Sequence, residues 1–136
     1  MRKIVISVAL LTSVNFVQAQ CGSVEKGIRL LNAKDLKGAL KNIEAAGEEI
    51  KKSEDENSPP ATKCYAKYYY GSGSSLLNIF QNEKPKELND QIAILEKAEA
   101  FFDDFFTLNY DDDKYKIKAI TNLEAVANNQ KNICLL

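Results

Sequence analysis

The apolar residues of this chain recur every three or four positions, which is the spacing of one face of an α-helix. The longest run of this kind consists of Leu88, Ile92, Leu95, Ala98, Phe102 and Phe105. A second apolar stripe beside it contains Ile94, Phe101 and Phe106, so this helix is expected to be covered on two sides. Nowhere does the sequence show the alternation of apolar and polar residues that indicates a half-exposed strand. The chain is therefore predicted to be all-α.

Turn-forming residues divide this pattern into about five helices in one domain. A charged segment at 53–60 ends in two prolines, and a second break at 109–113 contains three consecutive aspartates. A shorter break at 32–35 leaves so short a connection that the helices on either side must pair antiparallel. We predict a first hairpin at 20–53, a second hairpin with an insertion at 61–109, and a closing helix at 114–136.

Two details of this division depend on local residue type. The run Gly71-Ser72-Gly73-Ser74-Ser75 predicts a kink or a helix end inside the second hairpin. The closing helix is predicted to have one apolar face, made by Ile117, Ile120, Leu123, Val126 and Ala127.

The first 19 residues have the composition of a secretory signal peptide. Arg2 and Lys3 precede an apolar run, and Val17-Gln18-Ala19 fits a cleavage site after Ala19. The run is too short to span a bilayer. Two alternatives stay open, namely a buried first helix and lipidation of Cys21. Gln20 argues against the second, because a lipobox has a small residue before its cysteine. The mature protein is expected to be exported, either periplasmic or secreted.

Cleavage would leave 117 residues, with 16 basic and 19 acidic side chains and a net charge of −3. This balance does not suit a nucleic-acid phosphate backbone or an anionic membrane. Export would also place the three cysteines, Cys21, Cys64 and Cys134, in an oxidising compartment. One intramolecular bridge leaves one thiol over, and the sequence leaves all three pairings open.

The composition argues against catalysis, because the chain contains no histidine. Ser-His-Asp and Cys-His mechanisms and histidine-containing zinc sites are thereby excluded. Asp111-Asp112-Asp113 lacks the central glycine and final glutamate of an EF-hand, and is predicted to cap the helix that follows. We predict no enzymatic activity, cofactor or metal, with a pair of distant carboxylates as the remaining catalytic alternative.

Small and large residues follow a spacing of 12, 4 and 3 positions in the first hairpin, at Gly27, Ala39, Ile43 and Ala46. A related pattern returns at Ala98, Phe102 and Phe105. With these motifs, the mature chain resembles exported bacterial tetratricopeptide-repeat proteins. The chain departs from that pattern at Tyr68, where the family has a small residue. The resemblance implies a short right-handed solenoid of antiparallel hairpins, and an unrelated helical bundle is the alternative.

The resemblance also implies a protein that binds another protein or peptide on a concave surface lined by the first helix of each hairpin. Tyr65, Lys67, Tyr68 and Tyr69 are the predicted binding residues, since tyrosine combines a rigid apolar ring with a polar tip. The tyrosine rings could instead be core residues between neighbouring helices. The alternative function is a structural envelope component that self-associates, for example as a homodimer through the closing helix.

Overall fold

The computed structural model describes residues 21–135, which form five helices and, within that range, no strand. Residues 21–32 are helical and are called α1. They are followed by α2 (Leu36–Asp55), α3 (Thr62–Asn82), α4 (Leu88–Thr107) and α5 (Asp113–Cys134). The prediction of an all-α chain is confirmed. The predicted signal peptide at 1–19 lies outside the described residues. No helix within 21–135 is both long enough and apolar enough to cross a membrane.

Aspartates begin two of the helices. The carboxylate of Asp35 accepts a hydrogen bond of 3.0 Å from the backbone N–H of Gly38 at the start of α2. The carboxylate of Asp112 accepts one of 3.3 Å from the N–H of Tyr115 at the start of α5. Such side chains satisfy backbone donors that have no partner inside the helix. The capping role predicted for the aspartate run is thereby confirmed.

α3 is the central helix and packs against α2, α4 and α5. Its glycine–serine run, residues 71–75, lies inside an unbroken helix and is buried, so the predicted kink or helix end is wrong. A methyl group on Gly73 would lie 2.9 Å from the ring of Phe102, and one on Gly71 would lie 3.2 Å from Ile43. The small residues thus allow α2 and α4 to approach the α3 backbone, which offsets their poor helix propensity. The predicted insertion is helical as far as Asn82.

The residues that carry the repeat-like spacing are all buried between helices. The set consists of Gly27, Ala39, Ile43, Ala46, Ala98, Phe102 and Phe105. A methyl group on Gly27 of α1 would meet Ile43 of α2 at 2.6 Å, which shows how closely the first two helices pack. Burial at these positions is required by any close helix packing, so it does not distinguish a repeat from another helical arrangement.

The buried face of α5 includes Val126, as predicted, with Leu123 partly buried beside it, but not Ile117 or Ile120. Ala119, Val126 and Ile133 are buried, whereas Ile117 and Ile120 are 64% and 48% exposed. Ile117 is two residues from Ala119, about 200° around the helix, so the two side chains lie on nearly opposite sides. α5 therefore presents apolar side chains both to the core and away from it.

A disulfide joins Cys21, in α1, to Cys64, in the first turn of α3, at a sequence separation of 43. It is one of the three pairings that the sequence left open. Cys134, at the end of α5, is a free and exposed cysteine.

Candidate functional site

A groove runs along the exposed side of α3 between α2 and α4. Its floor contains Tyr68, Ser72, Leu76 and Ile79 from α3. Its walls contain Leu36 and Leu40 from α2, and Phe101 from α4. The lining also includes Ile43 and the charged residues Lys37, Glu44, Glu83 and Lys97. These twelve residues define the α3 groove. It consists of two adjacent cavities of about 140 and 210 Å³, and Leu40 lines both of them.

Three of the four predicted binding residues meet at one end of this groove. The ring centroids of Tyr68 and Tyr69 are 5.7 Å apart, and those of Tyr65 and Tyr69 are 6.3 Å apart. Tyr68 also meets the ring of Phe101 edge-on at 6.0 Å. A methyl group on Gly47 of α2 would lie 2.7 Å from the Tyr68 hydroxyl, so the glycine makes room for this ring. All three tyrosines are partly exposed.

Carboxylates from two different helices affect the pKa values of two of these tyrosines. Partial burial raises the pKa of the Tyr65 hydroxyl, and the charge of Glu54 raises it further. Partial burial likewise raises the pKa of Tyr69, with additional contributions from Asp104 and Glu54. Glu54 belongs to the last turn of α2 and Asp104 to that of α4. We call Tyr65, Tyr69, Glu54 and Asp104 the acidic end of the groove.

The fourth predicted residue, Lys67, lies on another side of α3. Its ammonium group is 2.6 Å from the carboxylate of Glu25 in α1 and 5.8 Å from the ring centroid of Tyr115 in α5. Its side chain is only 16% exposed. Lys67 directly precedes Tyr68, so the two side chains point about 100° apart around the helix. The structure therefore does not bring Lys67 together with the three tyrosines.

This ion pair shifts the pKa values of both groups. The hydrogen bond from Lys67 is the main cause that lowers the pKa of Glu25. Partial burial lowers the pKa of Lys67, but the hydrogen bond and charge of Glu25 outweigh it, and the pKa is raised. Both shifts favour the charged forms, so the pair holds α1 against α3.

The surroundings of Tyr68 and Lys67 distinguish two sides of α3. Tyr68 contacts α2 and α4, whereas Lys67 contacts α1 and α5. The predicted surface is lined by the first helix of each hairpin, whereas the neighbours of Tyr68 belong to the second helices, α2 and α4. Tyr70 is the buried member of the run of tyrosines at 65–70. Its ring meets that of Tyr115 edge-on, with the two ring centroids 5.1 Å apart. The four tyrosines of the run are thus spread over more than one face of α3.

The sequence interpretation missed the groove walls, because Leu40 and Phe101 belong to other helices than the tyrosines. The available signal was the width of the apolar face of α3, which includes Leu76 and Ile79. A face so wide exceeds what one neighbouring helix can cover. Among residues 21–135, no three His, Cys, Asp or Glu side chains are grouped in a way that could hold a metal ion.

Compared with known proteins, the chain matches no family model, no curated protein and no solved structure.

Proposed function

We propose that this protein is a non-catalytic, exported, tetratricopeptide-like protein that binds an amphipathic segment of a protein partner in the α3 groove. The observation that carries the proposal is the convergence of Tyr68, Leu76, Leu40 and Phe101, from three helices, on one preformed groove. Aromatic and aliphatic side chains that stay partly exposed in a concave site are typical of peptide-binding surfaces.

The dimensions of the groove favour a helical ligand. Tyr68 and Ile79, the first and last residues of the floor, are 11 positions apart on one helix, so the floor extends over about 16 Å. An amphipathic helix of about 11 residues has this length, and its apolar face can lie in such a groove. Its anchors would recur at three- and four-residue spacing, matching the spacing of Tyr68, Ser72, Leu76 and Ile79 on the floor.

A peptide-display experiment tests this proposal. Random peptides of about 16 residues are selected on the immobilised protein, and the affinity of an enriched peptide is measured by fluorescence anisotropy. We expect enriched sequences with amphipathic helical spacing. Leu76→Glu should weaken their binding by about tenfold or more, because it places a charge on the apolar floor.

Ile117→Glu is the matched control, since Ile117 is exposed on the far helix α5. It should leave the peptide affinity unchanged. The proposal is refuted if no peptide is enriched, or if Leu76→Glu, shown by circular dichroism to be folded, binds as tightly as the unmodified protein.

The outer face of α5 favours self-association as a second candidate function. Ile117 and Ile120 are exposed and one turn apart, so they form a small apolar patch, and contiguous apolar patches mark interaction sites. If two α5 helices paired antiparallel with their centre between Ile117 and Ile120, Lys114 of each copy would lie near Glu124 of the other. An interface of this kind is self-complementary in both apolar contact and charge.

Sedimentation over a range of concentrations tests this candidate. We expect a dimer that weakens by about tenfold or more when Ile117 is replaced by Glu, and also when Lys114→Glu reverses one charge. Adding Glu124→Lys to Lys114→Glu should restore the dimer, because the pairing is then reversed as a whole. A monomer at every concentration, or a dimer insensitive to Ile117→Glu, refutes it.

A further inference from the structure

The outer face of α5 is itself an amphipathic helix surface of the kind that the α3 groove accepts. Ile117 and Ile120 are exposed and lie one turn apart, and the charged residues Lys114, Lys118 and Glu124 are exposed beside them. α5 packs against α3 and α4 but does not contact α2, which forms one wall of the groove. The face and the groove therefore lie on different sides of the molecule, and one copy can present both.

The length of this face matches the length of the groove. The segment from Lys114 to Glu124 contains 11 residues, and the floor from Tyr68 to Ile79 extends over about 16 Å, the length of such a segment. Ser72, the smallest residue of the floor, lines a cavity of about 140 Å³ that leaves room for a branched apolar side chain. The two isoleucines of a second copy can thus be buried in the groove.

The charges of the two surfaces are complementary in one direction of binding. Glu44 and Lys37 of the α2 wall are seven positions apart, about 10 Å along the helix. Lys118 and Glu124 of α5 are six positions apart, about 9 Å. When α5 of a second copy lies antiparallel to α2, with its isoleucines on the floor, Lys118 faces Glu44. Glu124 then faces Lys37, whereas the reverse direction would turn Lys118 toward Lys97 on the α4 wall.

Within residues 21–135, these charges are not used for ion pairs inside one copy. The two ion pairs of the described chain join Lys67 to Glu25 and Lys116 to Asp111. The charges of the groove and of the α5 face can therefore pair with another molecule without breaking an existing bridge. Exposed pairs add little affinity, but like charges penalise a wrong orientation. Apolar contact would supply the affinity and charge the direction.

We propose that the segment bound in the α3 groove is α5 of a second copy of this chain, antiparallel to α2, with Ile117 and Ile120 on the groove floor. This inference rests on the proposed function of the groove. Because the two surfaces are different, the contact is heterologous, and successive copies join head to tail into a ring or an open chain. The same isoleucines would be used if two α5 helices paired with each other, so the two arrangements are alternatives.

Mixing two disabled variants tests this contact. Leu76→Glu disables the groove and Ile117→Glu disables the α5 face, each in the full chain with Cys134→Ser, which prevents disulfide-linked dimers. In sedimentation velocity, the Cys134→Ser protein should form oligomers that grow with concentration. Each variant alone should be a monomer over the same range. Their equimolar mixture should form a 1:1 dimer and nothing larger, because it contains one intact groove and one intact face.

A charge exchange in this mixture tests the direction without changing a buried residue. Glu44→Lys on the copy with the intact groove should weaken the dimer by about threefold, and Lys118→Glu on the other copy should recover most of the loss. Asp103→Lys makes the same charge change at an exposed position on the side of α4 away from the groove, and should alter the affinity by less than about 1.5-fold. A loss that Lys118→Glu does not recover would overturn the antiparallel docking.

The remaining outcomes separate this inference from the proposed function. A Cys134→Ser protein that is monomeric throughout, or a mixture that forms no dimer, overturns the inference. A Leu76→Glu variant that is folded by circular dichroism and still dimerises alone overturns it in favour of pairing between two α5 helices. If the selected peptides nevertheless depend on Leu76, the groove stands and its occupant is another protein. If neither the peptides nor the mixture depends on Leu76, the proposed function fails as well.

Discussion

Reduction of the disulfide between Cys21 and Cys64 is expected to lower the free energy of unfolding by about 3–4 kcal/mol. The bond closes a loop across 43 sequence positions, and in the unfolded chain this closure removes many conformations. It also holds α1, whose described part covers only residues 21–32, against the central helix.

Urea unfolding with and without a reducing agent measures this effect. The comparison is made in a Cys134→Ser background, because the free thiol of Cys134 could otherwise exchange with the bridge. Cys134→Ser alone should leave the free energy of unfolding nearly unchanged, since the residue is exposed. A difference below about 1 kcal/mol on reduction would contradict the prediction. A loss of 3–4 kcal/mol is a large part of the roughly 5–15 kcal/mol that stabilises an ordinary domain.

The second large effect is expected at the contact between α4 and α3. Phe102 is fully buried against the backbone of α3 at Gly73, so Phe102→Ala should cost about 3–5 kcal/mol. The cost combines the lost transfer free energy of the ring with the cavity left behind, because the helix backbones can collapse only in part. Urea unfolding followed by circular dichroism measures it.

Phe106→Ala is the matched control, since Phe106 is on the same helix and 40% exposed. Its cost should be below about 1.5 kcal/mol. Equal costs at the two positions would contradict the packing described for α3 and α4.

A double-mutant cycle adds a sharper test. Gly73→Ala introduces a methyl group 2.9 Å from the ring, and this clash should be relieved when Phe102 is replaced by Leu.

The helices could be predicted from the sequence because apolar spacing reports which residues share a face. Leu95, Ala98, Phe102 and Phe105 were predicted to face the core and are all buried, whereas Leu88, at the start of the same run, is 48% exposed. The helical conformation of the run at 71–75 could not be predicted from apolar spacing. Glycine and serine are poor helix formers, and only the closeness of Phe102 and Ile43, which are distant in sequence, explains why they are required in α3.

The candidate site shows the same limit. The clustering of Tyr65, Tyr68 and Tyr69 follows from their positions along one helix and was predictable. The placement of Lys67 depends on Glu25, which is 42 positions away, and a sequence pattern cannot show which acidic residue will pair with a given lysine. The walls of the groove and the Cys21–Cys64 pairing were hidden for the same reason, since each joins helices that only the tertiary structure brings together.

The central position of α3 has a consequence for how a ligand would be bound. α3 supplies the floor of the groove, and it is held by a disulfide at one end and packed against three helices along its length. Segments with so many buried contacts open last in hydrogen exchange, so the floor belongs to the most rigid part of the protein. The entropy lost on association then falls almost entirely on the ligand. Affinity for the α3 groove should therefore rise most when the ligand, not the protein, is made stiffer.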